Sequence, residues 1–257
     1  MKKPRGRSVR RSGPSHRTGR ESVRALHEAG ARLIEKGRYE EALGRFRRVA
    51  RRGRPDDPRL LFNIGFALAR LGRNFAAARA YRRCLEITPR DADAWFNLGN
   101  AYREVGALRR AARAYAAAAS LETSDHEVWN NLGNVRAALG ENAAAAEAYR
   151  SALAIRPGYH PGWNNLGNAL HALGDHQGAI ACYDRAIDLQ GASDQLYYFN
   201  RALALLSAGR ADEAVRDIGR WATISPFQDT DARAVRSPDW LKFLQSLAPS
   251  RPRKEIG

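Results

Sequence analysis

Trp95, Trp129 and Trp163 stand 34 residues apart. The same interval relates Leu98, Leu132 and Leu166, and Gly99, Gly133 and Gly167. It also relates Gly106, Gly140 and Gly174, then Ala111, Ala145 and Ala179, then Tyr115, Tyr149 and Tyr183. Six chemically different positions in one register over three units imply a tandem array, in which a unit too small to bury its own apolar face stacks on its neighbours. The register extends with decay in both directions. Upstream, Leu61, Ile64, Gly65, Gly72, Ala77, Tyr81 and Pro89 form one unit, and Leu26, Gly30, Gly37, Ala42 and Phe46 an earlier one displaced by a residue. Downstream, Tyr198, Ala202, Gly209, Ala214, Ile218, Trp221 and Pro226 form a last unit, also offset by one.

Within a unit the spacing is helical. Trp95, Leu98, Gly99 and Tyr102 fall at i, i+3, i+4 and i+7, one face of a helix, and Ala111, Tyr115 and Ala118 repeat the pattern on a second. Gly106 sits where the first helix must end, since glycine tolerates the left-handed conformation just past a helix terminus. Pro89, Pro157 and Pro226 stop the second helix, because proline lacks the amide donor a continuing helix needs. Gly99 and Ala111 are small where Trp95 and Tyr115 need room, so the two helices are expected to pack closely. Ser237-Pro238-Asp239-Trp240 reads as a further helix start, and Trp240, Leu241, Leu244 and Leu247 as an apolar stripe able to cover the end of the array.

The string Trp95-Phe96-Asn97-Leu98-Gly99-Asn100-Ala101-Tyr102 resembles the first-helix motif of tetratricopeptide repeat (TPR) proteins. The resemblance covers residues 23–227 and implies an all-α solenoid: a right-handed superhelix of about six helix-turn-helix repeats whose first helices line a concave groove. A capping helix is expected over 228–249, a basic disordered tail over 1–22 and a short disordered tail over 250–257.

Asparagines mark the expected groove. Asn63, Asn97, Asn131, Asn165 and Asn200 stand two positions before the repeat glycine or its equivalent; Asn100, Asn134 and Asn168 follow it by one; Asn130 and Asn164 add a third in two units. Asparagine is a mediocre helix former, about 0.7 kcal/mol worse than alanine at most, so ten in equivalent places ask for a reason. A carboxamide both donates and accepts, and a ladder of them can pair with the backbone of an extended peptide whatever its sequence. Trp163-Asn164-Asn165-Leu166-Gly167-Asn168 is similar to the TPR arms of O-GlcNAc-transferase-like proteins, and that resemblance implies such a ladder, with Asn130 and Asn164 lending selectivity. No catalytic domain is expected with it. The alternative is that the carboxamides bond neighbouring helices and satisfy the groove wall; at this point both stand. The positions at which chaperone-binding TPR domains carry cations to clamp a C-terminal carboxylate hold His27, Phe62, Phe96, Asn130, Asn164 and Phe199, which argues against that activity. Phe62, Phe66 and Phe96 suggest an apolar patch at the N-terminal end of the groove, or packing.

Charge supplies the rival reading. The net charge is +16, and residues 1–59 hold 19 Lys/Arg against 7 Asp/Glu. An Arg-rich arm over the first 59 residues is suited to neutralising the phosphates of a nucleic acid or an acidic partner. Residues 2–20 carry no aromatic residue for base stacking, however, and no sequence-reading helix is recognisable. Arginine outnumbers lysine 38 to 5, a skew that a GC-rich genome also produces. Enzyme readings find little: no phosphate-binding glycine loop, no zinc-type Cys/His cluster, and a His171/Asp175/His176 group that straddles the helix-ending Gly174. No cofactor is expected. Cys84 and Cys182, 98 positions apart, give no disulfide framework and suit a reducing compartment. No run of apolar residues is long enough to span a bilayer, and none follows the basic start where a secretory signal would need it. The expectation is a cytoplasmic, monomeric adaptor that binds an extended segment of another protein in a concave groove.

Overall fold

The computed structural model describes residues 22–53, 55–121, 124–190 and 195–224. Among them twelve helices form and no strand. They pair as α1 (Val23–Glu35) with α2 (Tyr39–Arg52), α3 (Pro58–Arg70) with α4 (Asn74–Ile87), and α5 (Ala92–Glu104) with α6 (Leu108–Leu121). The second half pairs α7 (His126–Ala138) with α8 (Asn142–Ile155), α9 (His160–Ala172) with α10 (His176–Gln190), and α11 (Gln195–Ser207) with α12 (Ala211–Ile224). Each helix packs most extensively on its pair partner, and α2, α4, α6, α8 and α10 pack next on the helix that follows. The sequence-based capping helix over 228–249 and both tails lie outside the described residues, except that Ser22 caps α1 by accepting a hydrogen bond from the Ala25 amide at 3.1 Å.

The turn inside each pair is three residues long with glycine at its centre, from Gly37 at φ 70° to Gly174 at φ 84°. The residue after that glycine returns its amide to the helix it has left, as Arg73 does to the Leu68 carbonyl at 2.9 Å and Glu141 to Arg136 at 2.9 Å. This is the Schellman arrangement, which satisfies carbonyls a helix end would otherwise orphan. The first helix of a pair begins on a carboxylate cap in three successive units, Asp57, Asp91 and Asp125. The prolines of the second-helix ends also have a partner. Trp95 donates its indole N–H to the Pro89 carbonyl at 2.9 Å, and Trp163 to Pro157 at 2.8 Å, so two positions of the repeat motif are one hydrogen bond.

A second set of glycines serves contact rather than turning. A Cβ on Gly65, Gly99, Gly133 or Gly167 would lie 2.8, 2.7, 2.5 or 2.6 Å from the ring of Tyr81, Tyr115, Tyr149 or Tyr183. The tyrosine of the second helix therefore lies directly on the backbone of the first. In the last unit the same pair is Ala202 with Ile218, both buried, where a smaller aliphatic chain leaves space for a methyl group.

That last unit departs from the pattern in one further place. Leu98, Leu132 and Leu166 are buried at 2–4% exposure, but the corresponding position on α11 is Arg201. Its guanidinium donates to both carboxylate oxygens of Asp217 at 2.7 Å and also to Asp184. The Asp217 side chain is 4% exposed and that of Arg201 16%. Burial opposes the charge on Arg201, but its bonds to Asp217 and Asp184 prevail and hold its pKa above the ordinary value.

Candidate functional site

Successive odd-numbered helices touch directly, α1 on α3, α3 on α5, α7 on α9 and α9 on α11, whereas no even-numbered helices approach to the same extent. The odd helices form the inner layer of a curved stack and the even helices the outer one. All ten asparagines lie on the inner layer: Asn63 on α3, Asn97 and Asn100 on α5, Asn130, Asn131 and Asn134 on α7, Asn164, Asn165 and Asn168 on α9, and Asn200 on α11.

Their carboxamides are not equivalent. In three units the asparagine after the repeat glycine accepts a hydrogen bond from the tyrosine hydroxyl of its own pair: Tyr115 to Asn100 at 2.7 Å, Tyr149 to Asn134 at 2.9 Å, Tyr183 to Asn168 at 2.7 Å. The oxygen is thereby occupied, and the Nδ2 donor is left without a described protein partner. Asn168 is exposed; Asn100 and Asn134 are half-buried. Burial raises the pKa of Tyr115 and Tyr149 to about 12, which keeps each hydroxyl a donor.

Asn130 and Asn164, read from sequence as selectivity positions, are buried at 7% and 5% exposure. Each accepts from the next inner helix, Asn130 from Asn165 at 3.1 Å and Asn164 from Asn200 at 2.8 Å. Asn165 also donates to Asn134 at 3.2 Å. These bonds tie α7, α9 and α11 together and commit the Asn130 and Asn164 oxygens to the neighbouring inner helices. The remaining carboxamides are committed more lightly. Asn97 donates to the Asp93 carbonyl one turn back at 2.8 Å, Asn131 accepts from Arg103 at 3.4 Å, and Asn63 lies 3.4 Å from His27 Nε2.

At the N-terminal end a cleft of about 500 Å³ is lined by His27, Phe62, Asn63 and Asp93 among others. Phe62 meets the Tyr81 ring edge-on at 5.6 Å and Phe96 the Tyr115 ring at 5.8 Å, so these phenylalanines pack and, at Phe62, also line the groove. Phe66 takes the place of Asn100, Asn134 and Asn168 in its unit, and there the Tyr81 hydroxyl is buried with no hydrogen-bond partner. A test follows directly. Tyr81→Phe removes an unpaired polar atom and should leave the denaturation midpoint unchanged or raise stability by up to about 1 kcal/mol, whereas Tyr149→Phe removes a made bond and should cost about 1 kcal/mol.

Sequence reasoning missed the tyrosine hydroxyls and Arg103. The signal was present, because tyrosine and asparagine recur at 34 with a constant separation of 15 residues in three units. Cys84 and Cys182 are buried, and burial pushes both thiols up, Cys182 to about 11. His171 and His176 bond to each other through Nδ1 at 3.2 Å, and among the described residues no three metal-binding side chains converge. No described helix is long and apolar enough to cross a membrane.

Comparison with known proteins agrees with this geometry. Family models described as tetratricopeptide repeat match residues 96–160 and 160–191, and one described as TPR repeat matches residues 67–106. The chain is a tetratricopeptide repeat protein. Among solved TPR-like structures, crystalline MamA is 25% identical with a TM-score of 0.63, over 65% of this chain and 91% of that one. YrrB, described as a TPR protein with an unusual peptide-binding site, is 16% identical with a TM-score of 0.65, over 75% of this chain and 98% of its own. PilF of Pseudomonas aeruginosa is 17% identical at 0.63, over 80% and 93%. The last two likenesses are of fold. No curated protein sequence matches the chain. The TPR stack presents a protein-interaction scaffold, and its inner layer carries the polar groups.

Proposed function

We propose that this TPR protein is a non-catalytic adaptor that holds an extended segment of another protein along its inner helices. The observation that carries the reading is the tyrosine–asparagine bond at Asn100, Asn134 and Asn168, which occupies each carboxamide oxygen and leaves its Nδ2 available to a peptide carbonyl. Asn63, Asn97, Asn131, Asn165 and Asn200 supply further groups beside them, while Asn130 and Asn164 hold the neighbouring helices in register. Phe62 offers an apolar contact at the N-terminal end. A handful of such bonds at about 0.5–1.5 kcal/mol each amounts to a few kcal/mol. Ordering the segment takes back about 2–5 kcal/mol, so affinity of about micromolar strength is expected once a side-chain pocket contributes.

The internal bonds decide which substitution tests this. Removing Asn165 would orphan the buried Asn130 oxygen and take one of two donors from Asn134, confounding binding with stability. Asn97→Ala/Asn131→Ala removes two lightly committed carboxamides. In affinity capture with nuclease present, that variant should hold its protein partner about tenfold or more less tightly, with a melting temperature close to that of the unmodified chain. Equal retention of the partner by both proteins would end the ladder reading. Capture that disappears with nuclease, or on deleting residues 1–21, would favour the basic arm.

A further inference from the structure

We propose a second docking site on the outer layer, between α4 and α6, for a partner segment in which an apolar side chain is flanked by carboxylates. The site is a cleft of about 570 Å³, within the size range of specific binding pockets. Its floor is apolar. Leu85, Leu98 and Ala114 are buried beneath it, and the half-buried rings of Trp95 and Tyr102 complete it. The indole N–H of Trp95 is already given to Pro89, so that side chain offers a ligand only apolar ring surface.

The rim has the opposite character. Arg82 on α4 faces Arg110 and Arg113 on α6, all exposed, with Glu86 the single carboxylate among the lining residues. None of the three arginines has an ion pair among the described residues; Arg110 lies over the Tyr102 ring at 5.9 Å. Their surroundings reinforce them. The outer helices α2, α4 and α6 carry eleven arginines against three glutamates, whereas α8, α10 and α12 carry four arginines against six carboxylates. The positive field thus extends past residue 59, along the outside of the first three pairs. One repeat further on, the positions of Arg82, Glu86, Arg110 and Arg113 hold Ala116, Ser120, Ala144 and Glu147, so the rim belongs to this junction and not to the repeat.

This chemistry selects among anionic partners. A nucleobase stacked on the Trp95 or Tyr102 ring would still turn ring nitrogens and carbonyls toward Leu85, Leu98 and Ala114, whose side chains offer no hydrogen bond, and burying unpaired polar atoms is costly. Leucine or phenylalanine brings none. Aspartate or glutamate on either side of it meets guanidinium groups, which bind carboxylates through paired charge-assisted hydrogen bonds. An acidic segment with an apolar centre satisfies floor and rim together.

The test uses the full chain and a fluorescein-labelled peptide in which Leu-Phe is flanked on each side by Asp-Glu, followed by anisotropy. Arg82→Glu/Arg113→Glu changes two exposed, unpaired side chains, so the fold is retained, and should weaken binding about tenfold or more. Arg185→Glu on α10 should leave it unchanged. A Lys-flanked peptide should bind the charge-reversed variant and not the unmodified chain. In the unmodified chain the Trp95 indole N–H resonance should shift on titration with the acidic peptide. Equal binding by the Arg82→Glu/Arg113→Glu variant, or an unmoved Trp95 resonance, overturns the proposal. Tighter Arg82- and Arg113-dependent binding of oligothymidine or of phosphatidylserine vesicles also overturns it, in favour of nucleic acid or a lipid surface.

Discussion

Gly133→Leu should disrupt the centre of the array, at a cost of about 3 kcal/mol or more. The Cβ alone would lie 2.5 Å from the Tyr149 ring, before any further atoms are added. That ring has no easy retreat: Tyr149 is buried at 3% exposure and its hydroxyl is bonded to Asn134. Either α7 and α8 separate or the tyrosine leaves its pocket, and each breaks the packing on both adjoining pairs. Two other glycines isolate the cause. Gly44 on α2 has nothing within 4 Å of where its Cβ would be, so Gly44→Ala should raise stability by about 0.5–1 kcal/mol through helix propensity alone. Gly140 has equally open space but φ 77°, so Gly140→Ala should lose about 1–2 kcal/mol to backbone strain. Chemical denaturation followed by circular dichroism ranks the three. A Gly133→Leu midpoint equal to that of the unmodified chain would mean that helix approach is not what the glycine permits.

Asp217→Ala should melt the last pair selectively. The substitution removes the carboxylate that accepts two hydrogen bonds from Arg201 and leaves a largely buried guanidinium with Asp184 alone. Breaking a buried ion pair from one side costs about 3–5 kcal/mol. Stability in a stacked array is held by each unit and its nearest neighbours, so hydrogen exchange should accelerate in α11 and α12 while α5 to α8 keep their protection. The paired change Arg201→Leu/Asp217→Leu restores the apolar register of Leu98, Leu132 and Leu166 and should be at least as stable as the unmodified chain, since a buried pair rarely outperforms the hydrophobic residues it replaces. Unaltered exchange in α11 and α12 of Asp217→Ala would show that the pair is stabilised elsewhere.

Legibility differed from residue to residue. Gly99 opposite Tyr115 was readable as small against large because both recur at the repeat interval, and the structure adds only the distance. Gly106 was readable as a helix end from chemistry that involves no other residue than itself. Asn130 was not readable in the same way: as a third carboxamide it looked available, and only the arrival of Asn165 from the next inner helix, 35 positions on, makes it a buried acceptor. Arg201 lay concealed because the last unit is offset by one residue, which moves it onto the leucine position. The outer arginines were hidden by averaging, since residues 60–257 sum to nearly balanced charge while α4 and α6 together carry six arginines and one glutamate.

The repeat, the helix pairs, their turns and the close contact between glycine and aromatic ring were legible in the residues alone. Those follow from local conformational preference and from residue volume, which act at short separation and recur identically in every unit. Which end of each carboxamide is occupied, which asparagines are buried, and where unpaired arginines converge over an apolar floor emerge when the helices pack. Such outcomes depend on how two helices meet within a pair, 15 residues apart, and on the rotation between stacked pairs, which brings together groups 31 to 36 residues apart, and hydrogen-bond satisfaction is a property of those encounters, which no residue carries alone.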